Sequence, residues 1–377
     1  MTIYFVLALS ALNGMGVQAA RVSLALFALE FGAQPLTVGM LAATFSMFPM
    51  LLGVPAGRLA DRFGARWLLV FGSIVGGLGM LLPYFRPGLT TMFLAAAGMG
   101  LATAIYNVSL QNLVGLLSRP EHRARDFSNY SLTNSGANFL GPLIAGFSIE
   151  HFGHAHACLF LALFALVPVS MLSVRKGALR GGAKRTAHAE GGIRAMLTAP
   201  GVPRVLATGS LQNTGDGLYQ FYMPVYTHAI GLSPSVIGII LATNSAAAFA
   251  VRLILPRLIA RFKEERLLAY SFYLGAACLL LIPLFKAPVM LALISFVFGI
   301  GMGCCGPIVT MLMFGNAPAG RSGEALGLKV TINHLTKVIS PVISGSIATA
   351  FGLPPVFWIN AVMLGTGGVL SWPKKAK

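Results

Sequence analysis

Residues Gly57 to Leu69 read GRLADRFGARWLL, and residues Pro256 to Leu268 read PRLIARFKEERLL. Each is a basic loop held between two long apolar runs, and Arg58, Leu59, Arg62 and Phe63 recur as Arg257, Leu258, Arg261 and Phe262, an offset of 199 residues. The same offset carries Gly32, Pro35 and Gly39 onto Gly231, Pro234 and Gly238, and Asn134 onto Asn333. It also carries Pro142, Ile144, Gly146, Phe152 and Gly153 onto Pro341, Ile343, Gly345, Phe351 and Gly352. Separate blocks in one register mark a chain built from two copies of one unit.

The solvent of that unit follows from composition. Of 377 residues, 56% are hydrophobic and only 10% charged, with a mean hydropathy of +0.78; soluble domains carry about 25% charged residues. A span needs roughly 20 apolar residues to cross the bilayer. Runs of that length predict helices near 3–30, 36–57, 67–85, 89–115, 127–150 and 155–174, then 202–230, 235–256, 267–285, 288–314, 325–350 and 355–373. The expected fold is therefore an all-α membrane protein, twelve transmembrane helices arranged as two pseudo-symmetric six-helix bundles. The bundles are expected at 1–174 and 202–377, joined by a Gly-rich basic linker at 175–201 that cannot bury enough apolar surface to fold alone.

Charge then sets the expected orientation. The net charge of +17 would suit a nucleic-acid partner only if it formed a basic surface interleaved with aromatics, and here Lys and Arg instead fill the gaps between spans. With both termini cytoplasmic, the outer loops hold only Arg86 and Lys286, as the positive-inside rule requires. The expected location is a plasma membrane, the inner membrane of a bacterium. Cys158, Cys278, Cys304 and Cys305 all lie in apolar runs without the spacing of a metal site, and read as packing residues.

The loop GRLADRFGARWLL resembles the signature of the major facilitator superfamily, G-x-L-(A/S)-D-(R/K)-x-G-(R/K)-(R/K), departing from it at Ala65. The resemblance extends over the whole chain through the twelve spans, the basic mid-linker and the degenerate second copy. Gly57 and Gly64 permit a tight inter-helix turn, and Arg58, Arg62 and Arg66 hold it on the inner side. The resemblance implies that Asp61 docks against the inner end of the other half as a latch, a helix N-terminus being a favourable partner for a carboxylate; the alternative is a loop that only sets topology. The second copy has Ala260 at the Asp61 register, which puts a symmetrical latch in doubt. On span five, Ala137, Gly141, Pro142, Ala145 and Gly146 resemble the Gly-Pro signature of the superfamily's antiporters. Close packing between spans five and eight would use the same small residues.

Charges inside hydrocarbon are costly and mark candidate sites. They are Arg21 in span one, Asp216 in span seven, Arg252 in span eight and Lys337 in span eleven. Asn13, Val17 and Arg21 share one face of span one, with Gln18 beside them; Asn213, Asp216 and Gln220 share one face of span seven, beside Tyr219, Tyr222 and Tyr226. Tyr106, Asn107 and Gln111 on span four and Asn333, His334 and Lys337 on span eleven complete the set. The span-seven stripe is open to two readings, a binding wall or a polar seam between helices. Arg252 either snorkels to the inner face or, as the resemblance implies, holds a carboxylate. Glu150 sits near a span end, where it is expected to snorkel.

No Gly-rich phosphate loop, metal-ligand spacing or nucleophile–base pair supports an enzyme, and no cofactor is expected. The expected activity is secondary transport of a small organic solute by alternating access between the halves, with membrane lipid as surroundings, a proton or counter-ion as partner and a monomer as the working unit. Asp216 is the candidate proton carrier, with His334 a second candidate. Arg21, Arg252 and Lys337 are candidate anchors, and three cations against one acid favour either an anionic solute or an internal Asp–cation pair. Two rival readings remain: an exporter of lipophilic compounds, and a transport-inactive receptor or sensor on the same scaffold.

Overall fold

A computed structural model describes residues 3–63, 65–117, 123–174, 197, 201–316 and 322–373. Its described residues form twelve α-helices: α1 (Ile3–Glu30), α2 (Pro35–Phe63), α3 (Ala65–Phe85), α4 (Leu89–Leu117), α5 (123–152), α6 (154–174), α7 (Val202–Ala229), α8 (Pro234–Phe262), α9 (Glu264–Leu281), α10 (Pro288–Asn316), α11 (Ser322–Phe351) and α12 (Leu353–Ser371). α5 and α6 are the two parts of the helical run Arg123–Val174, divided at Gly153, whose φ of 77° and ψ of 166° are not helical. Of the linker, only Leu197 and Gly201 fall within the described residues.

The recurring blocks are the punctuation of this helix order. After α1, Gly32 takes φ 73°; its N–H donates to Leu29 O, and that of Ala33 donates to Ala28 O. This is a Schellman ending, which needs a residue tolerant of the left-handed region. Gly231, at φ 85°, ends α7 in the same way, with Gly231 N–H donating to His228 O and Leu232 N–H to Thr227 O. Pro35 and Pro234 then open α2 and α8, where a missing N–H costs nothing. Gly153 and Gly352 (φ 86°) divide α5 from α6 and α11 from α12.

Helices within each half pack on one another, α1 against α4 and α5, α3 against α4, α7 against α10, α11 and α12, and α9 against α10 and α12. Between the halves, α2 lies on α11, α5 on α8 and α1 on α7. Nine described helical runs are long and apolar enough to cross a membrane, the α5–α6 run counting as one. α7 and α11 are not among them, because the residues that dilute their hydropathy, Asn213, Asp216 and Gln220 on α7 and Asn333, His334 and Lys337 on α11, are the polar candidates themselves. All four cysteines are buried free thiols.

Candidate functional site

An even number of helices brings the start of α1 and the end of α12 to one face, the terminal face; the α1–α2 and α7–α8 turns lie on the opposite, distal face. Between the halves lies a cavity of about 330 Å³. α1 contributes Asn13, Val17, Gln18 and Arg21; α4 contributes Thr103 and Asn107; α5 contributes Asn134 and Asn138. The second half contributes Asn213, Asp216, Gln220 and Phe221 from α7 and Lys337 and Ser340 from α11. Both polar stripes read from helical spacing thus face one space, and the walls come from both copies of the repeat.

Asp216 accepts a hydrogen bond from Gln220 Nε2 at 3.5 Å. Among the described residues no cation comes within ion-pair distance of it; ion pairs elsewhere include Glu30–His154 and Arg204–Glu265. Arg21 stands instead between two aromatic rings, its guanidinium carbon 5.7 Å from the centre of Phe45 and 5.9 Å from that of Phe221. The α1 and α5 walls are tied together by Gln18 Nε2 donating to Asn138 Oδ1 at 2.5 Å and Ser10 Oγ donating to Asn134 Oδ1 at 3.1 Å.

Several sequence candidates lie away from this space. Tyr219, about 100° round α7 from Gln220, is fully buried and stacks on Phe298 with ring centres 4.7 Å apart. Tyr222 donates to Pro341 O at 2.7 Å, and Tyr226 to Phe285 O at 3.0 Å, so the span-seven tyrosines brace helices and do not line the cavity. Tyr106 is buried against Ser73 of α3, to which it is hydrogen-bonded. Arg252 neither snorkels nor reaches the cavity: Nη1 donates to Ser135 Oγ at 2.7 Å and Nε to Gly303 O at 3.3 Å, joining α8 to α5 and α10. Asn333 and His334 are not part of the cavity wall. The side chain of Gln111 lies outside the described residues, as do Gly64 and the side chains of Asp61 and Arg62; Gly57 is described only as part of α2, and Arg66 opens α3.

Asn134 and Asn138 were missed as wall residues, although their i, i+4 spacing on span five is the same signal that located the other stripes. Glu150 is exposed at the end of α5, as expected of a span end, and it also caps the other half: its carboxylate accepts from the backbone N–H of Ser235 at 2.9 Å and from the Ser235 hydroxyl. The register-matched contact is Leu36 N–H donating to Thr349 Oγ1 at 3.1 Å. Beneath these contacts a Cβ on Gly238 would lie 2.5 Å from Pro142 O, and one on Gly39 would run into Pro341 O. Gly141 packs as tightly against α1, where a Cβ would meet Gln18 Cβ at 2.5 Å. The cavity is therefore sealed below the distal face by two backbone-to-backbone seams, α5 on α8 and α2 on α11.

A twelve-helix membrane fold with a charged cavity between its halves is the architecture of a solute transporter. The family model described as Major Facilitator Superfamily matches residues 6–336, and the chain belongs to that superfamily; it is a transporter and not an enzyme. The chain is 24% identical over 330 residues to the uncharacterized MFS-type transporter YuxJ of Bacillus subtilis (strain 168), covering 84% of this chain and 82% of that protein. It is also 24% identical over 344 residues to the quinolone resistance protein NorA of Staphylococcus aureus (strain MSSA476), covering 89% and 87%. In fold it is similar to the nucleoside transporter NupG, with a TM-score of 0.82 at 13% identity over 98% of this chain and 100% of that one. A bacterial homolog of the human lysosomal transporter Spinster, solved inward-facing and unoccupied, gives 0.81 at 11% identity over 98% and 95%.

Proposed function

We propose that this transporter moves a small organic solute of anionic or amphipathic character across a bacterial inner membrane by alternating access, coupled to protons, with export the favoured direction. The observation that carries the reading is the cavity: it lies between the two repeats, takes walls from both, and holds Arg21, Lys337 and Asp216 with no ion pair among them within the described residues. Charges in a membrane are retained for a reason, and an excess of one cation over the acid suits a solute that brings a negative group. The working units are the six-helix halves 1–174 and 202–377, hinged by the linker 175–201 and acting as a monomer. Both termini and the linker are cytoplasmic, which makes the distal face external and the present state inward-facing; the likeness to the inward-facing Spinster homolog supports this. Asp216 is the proton carrier, since it lines the cavity and has, among the described residues, Gln220 alone as a hydrogen-bond partner. Export draws support from the Gly141-Pro142 signature and from the named quinolone resistance of NorA.

Export of lipophilic compounds is a second reading with an observation of its own. A groove of about 300 Å³ on the outside of the second half, walled by residues such as Leu211, Ile339, Ile343 and Met363, shares Ser340 with the central cavity. Counterflow in proteoliposomes tests the carrier itself: vesicles preloaded with an unlabelled fluoroquinolone or with benzoate are diluted into a trace of the labelled compound. Transient uptake above protein-free vesicles is the expected result for at least one of the two. No exchange of either, by protein shown to be folded, would leave the receptor or sensor reading in its place. Maleimide labelling of a linker cysteine from outside intact cells would overturn the orientation.

A further inference from the structure

Beyond the central cavity, towards the sealed distal face, lies a second and much smaller pocket of about 30 Å³. It shares Gln18, Arg21, Asn138, Gln220 and Phe221 with the cavity and is closed off by Pro142 of α5 and by Leu241, Asn244 and Ser245 of α8. It forms a narrow extension of the cavity towards the distal seams. A buried space of ~10–15 Å³ accepts one water, so this one has room for a group about the size of a carboxylate and not for a whole solute.

Most polar groups on its wall are already committed. Gln18 donates to Asn138 Oδ1, the Ser245 hydroxyl donates to Asn138 O at 3.0 Å, and Gln220 donates to Asp216. Arg21 is not: Nε is buried with no hydrogen-bond partner among the described residues, and the guanidinium stands between the Phe45 and Phe221 rings, with Asp216 of the adjoining cavity acting on its charge from beyond ion-pair distance. Aromatic faces steady a cation without consuming its N–H donors. Asn244 is 5% exposed and its Oδ1, buried without a partner, lies against Gly299 of α10, which leaves the N–H end of the amide for the pocket. The wall carries no acid among the described residues. A rigid, always-charged fork with free donors beside a second donor, in a space without an acceptor charge, is built for a planar anion.

We propose that this pocket is the head-group subsite of the transport path and takes a carboxylate, bound by Arg21 with Asn244 as the second donor, while the body of the solute fills the larger cavity behind it. The proposal rests on the carrier reading above and narrows its solute to carboxylates. It also transfers the anchoring role that the family resemblance implied for Arg252, which is occupied by Ser135 and Gly303, to Arg21. Inorganic phosphate, which brings no body to fill the larger cavity, is the contrast to a carboxylate solute.

Thermal-shift titration of the purified full-length protein with benzoate, benzamide and inorganic phosphate tests it, because a ligand stabilises the state it binds. Benzoate should raise the melting temperature saturably, while neutral benzamide and phosphate at the same concentrations should not. Arg21→Gln should abolish the benzoate response, and Arg21→Lys, which keeps the charge but loses the fork, should weaken benzoate about tenfold. Arg21→Lys carries the test by itself if Arg21→Gln does not fold. No response of the wild type to benzoate, equal responses to benzoate and benzamide, a response to phosphate as strong as to benzoate, or unaltered affinity in Arg21→Lys would each overturn the subsite. Counterflow separates the two readings: exchange of ethidium, a lipophilic cation with no carboxylate, by a protein that fails the benzoate test removes the subsite and leaves the carrier, whereas absence of all exchange removes the carrier.

Discussion

The two seams that close the distal face are copies of each other in backbone and differ in chemistry. On one, Pro142 O of α5 meets Gly238 of α8; on the other, Pro341 O of α11 meets Gly39 of α2, and all four residues are related by the 199-residue offset. The capping contacts above them share the same register, yet one is made by a carboxylate, Glu150, and the other by a hydroxyl, Thr349. The cavity below has diverged further still: Val17 corresponds to Asp216, Arg21 to Gln220 and Asn138 to Lys337. Close approach leaves no room for a Cβ at Gly39 or Gly238 and so keeps the repeat visible, while side chains facing water or solute are free to change with function.

The comparison can be broken most severely at the glycines. Gly238→Leu or Gly39→Leu places a side chain where the facing carbonyl oxygen already stands. Overpacking of this kind costs about 1–3 kcal/mol or more, and it falls on the closed-distal state alone. Counterflow should drop at least tenfold, a factor of 10 being about 1.4 kcal/mol, while a cysteine placed in the cavity wall becomes labelled from the distal side. Unchanged counterflow and labelling in both variants would mean that the seams are not the closure.

A smaller effect is expected at the caps, and there the two seams should part company. Glu150→Gln replaces a charged acceptor at the start of α8 by a neutral one, and distal-side labelling of the cavity cysteine should rise. Thr349→Val removes one neutral acceptor from an exposed contact, worth well under about 1 kcal/mol, and should change labelling least. Lowering the external pH should weaken only the Glu150 seam, because protonation removes the charge that the α8 N-terminus and the Ser235 donors favour. Wild-type labelling should therefore rise as external pH falls through the carboxylate range, and Glu150→Gln should flatten that dependence. Equal sensitivity in Glu150→Gln would place the titrating group elsewhere.

Much of this molecule was legible in the sequence, and the reason differs from feature to feature. Most spans follow from hydropathy, α7 and α11 being the diluted exceptions, and the helix ends from Gly32, Pro35, Gly231, Pro234, Gly153 and Gly352, whose backbone demands are local. The stripes on α1 and α7 could be read because helical spacing fixes which residues share a face. Spacing does not say what the next face touches. Tyr219 looked like cavity wall from its position beside the stripe, but the stack on Phe298 of α10 depends on tertiary packing that no local pattern carries. Arg252 is an anchor by the family resemblance, and no local pattern shows otherwise, since its partners Ser135 and Gly303 are 117 and 51 residues away. Asn138 was within reach of the stripe argument, and Glu150 was not, because its partner is the N-terminus of a helix in the other half.

The central claim is that the charged cavity between the repeats is the transport site and that Asp216 couples it to protons. Proteoliposomes bearing wild type or Asp216→Asn, each assayed for solute exchange and for accumulation driven by an imposed pH gradient, test it most directly. No cation lies within ion-pair distance of Asp216 among the described residues, but Lys337, Arg252 and Arg21 all act on its charge, so transport is read only on variant protein shown to be folded. The account predicts that Asp216→Asn exchanges labelled solute near the wild-type rate but no longer accumulates it against its gradient. Full gradient-driven accumulation by a well-folded Asp216→Asn protein would contradict it.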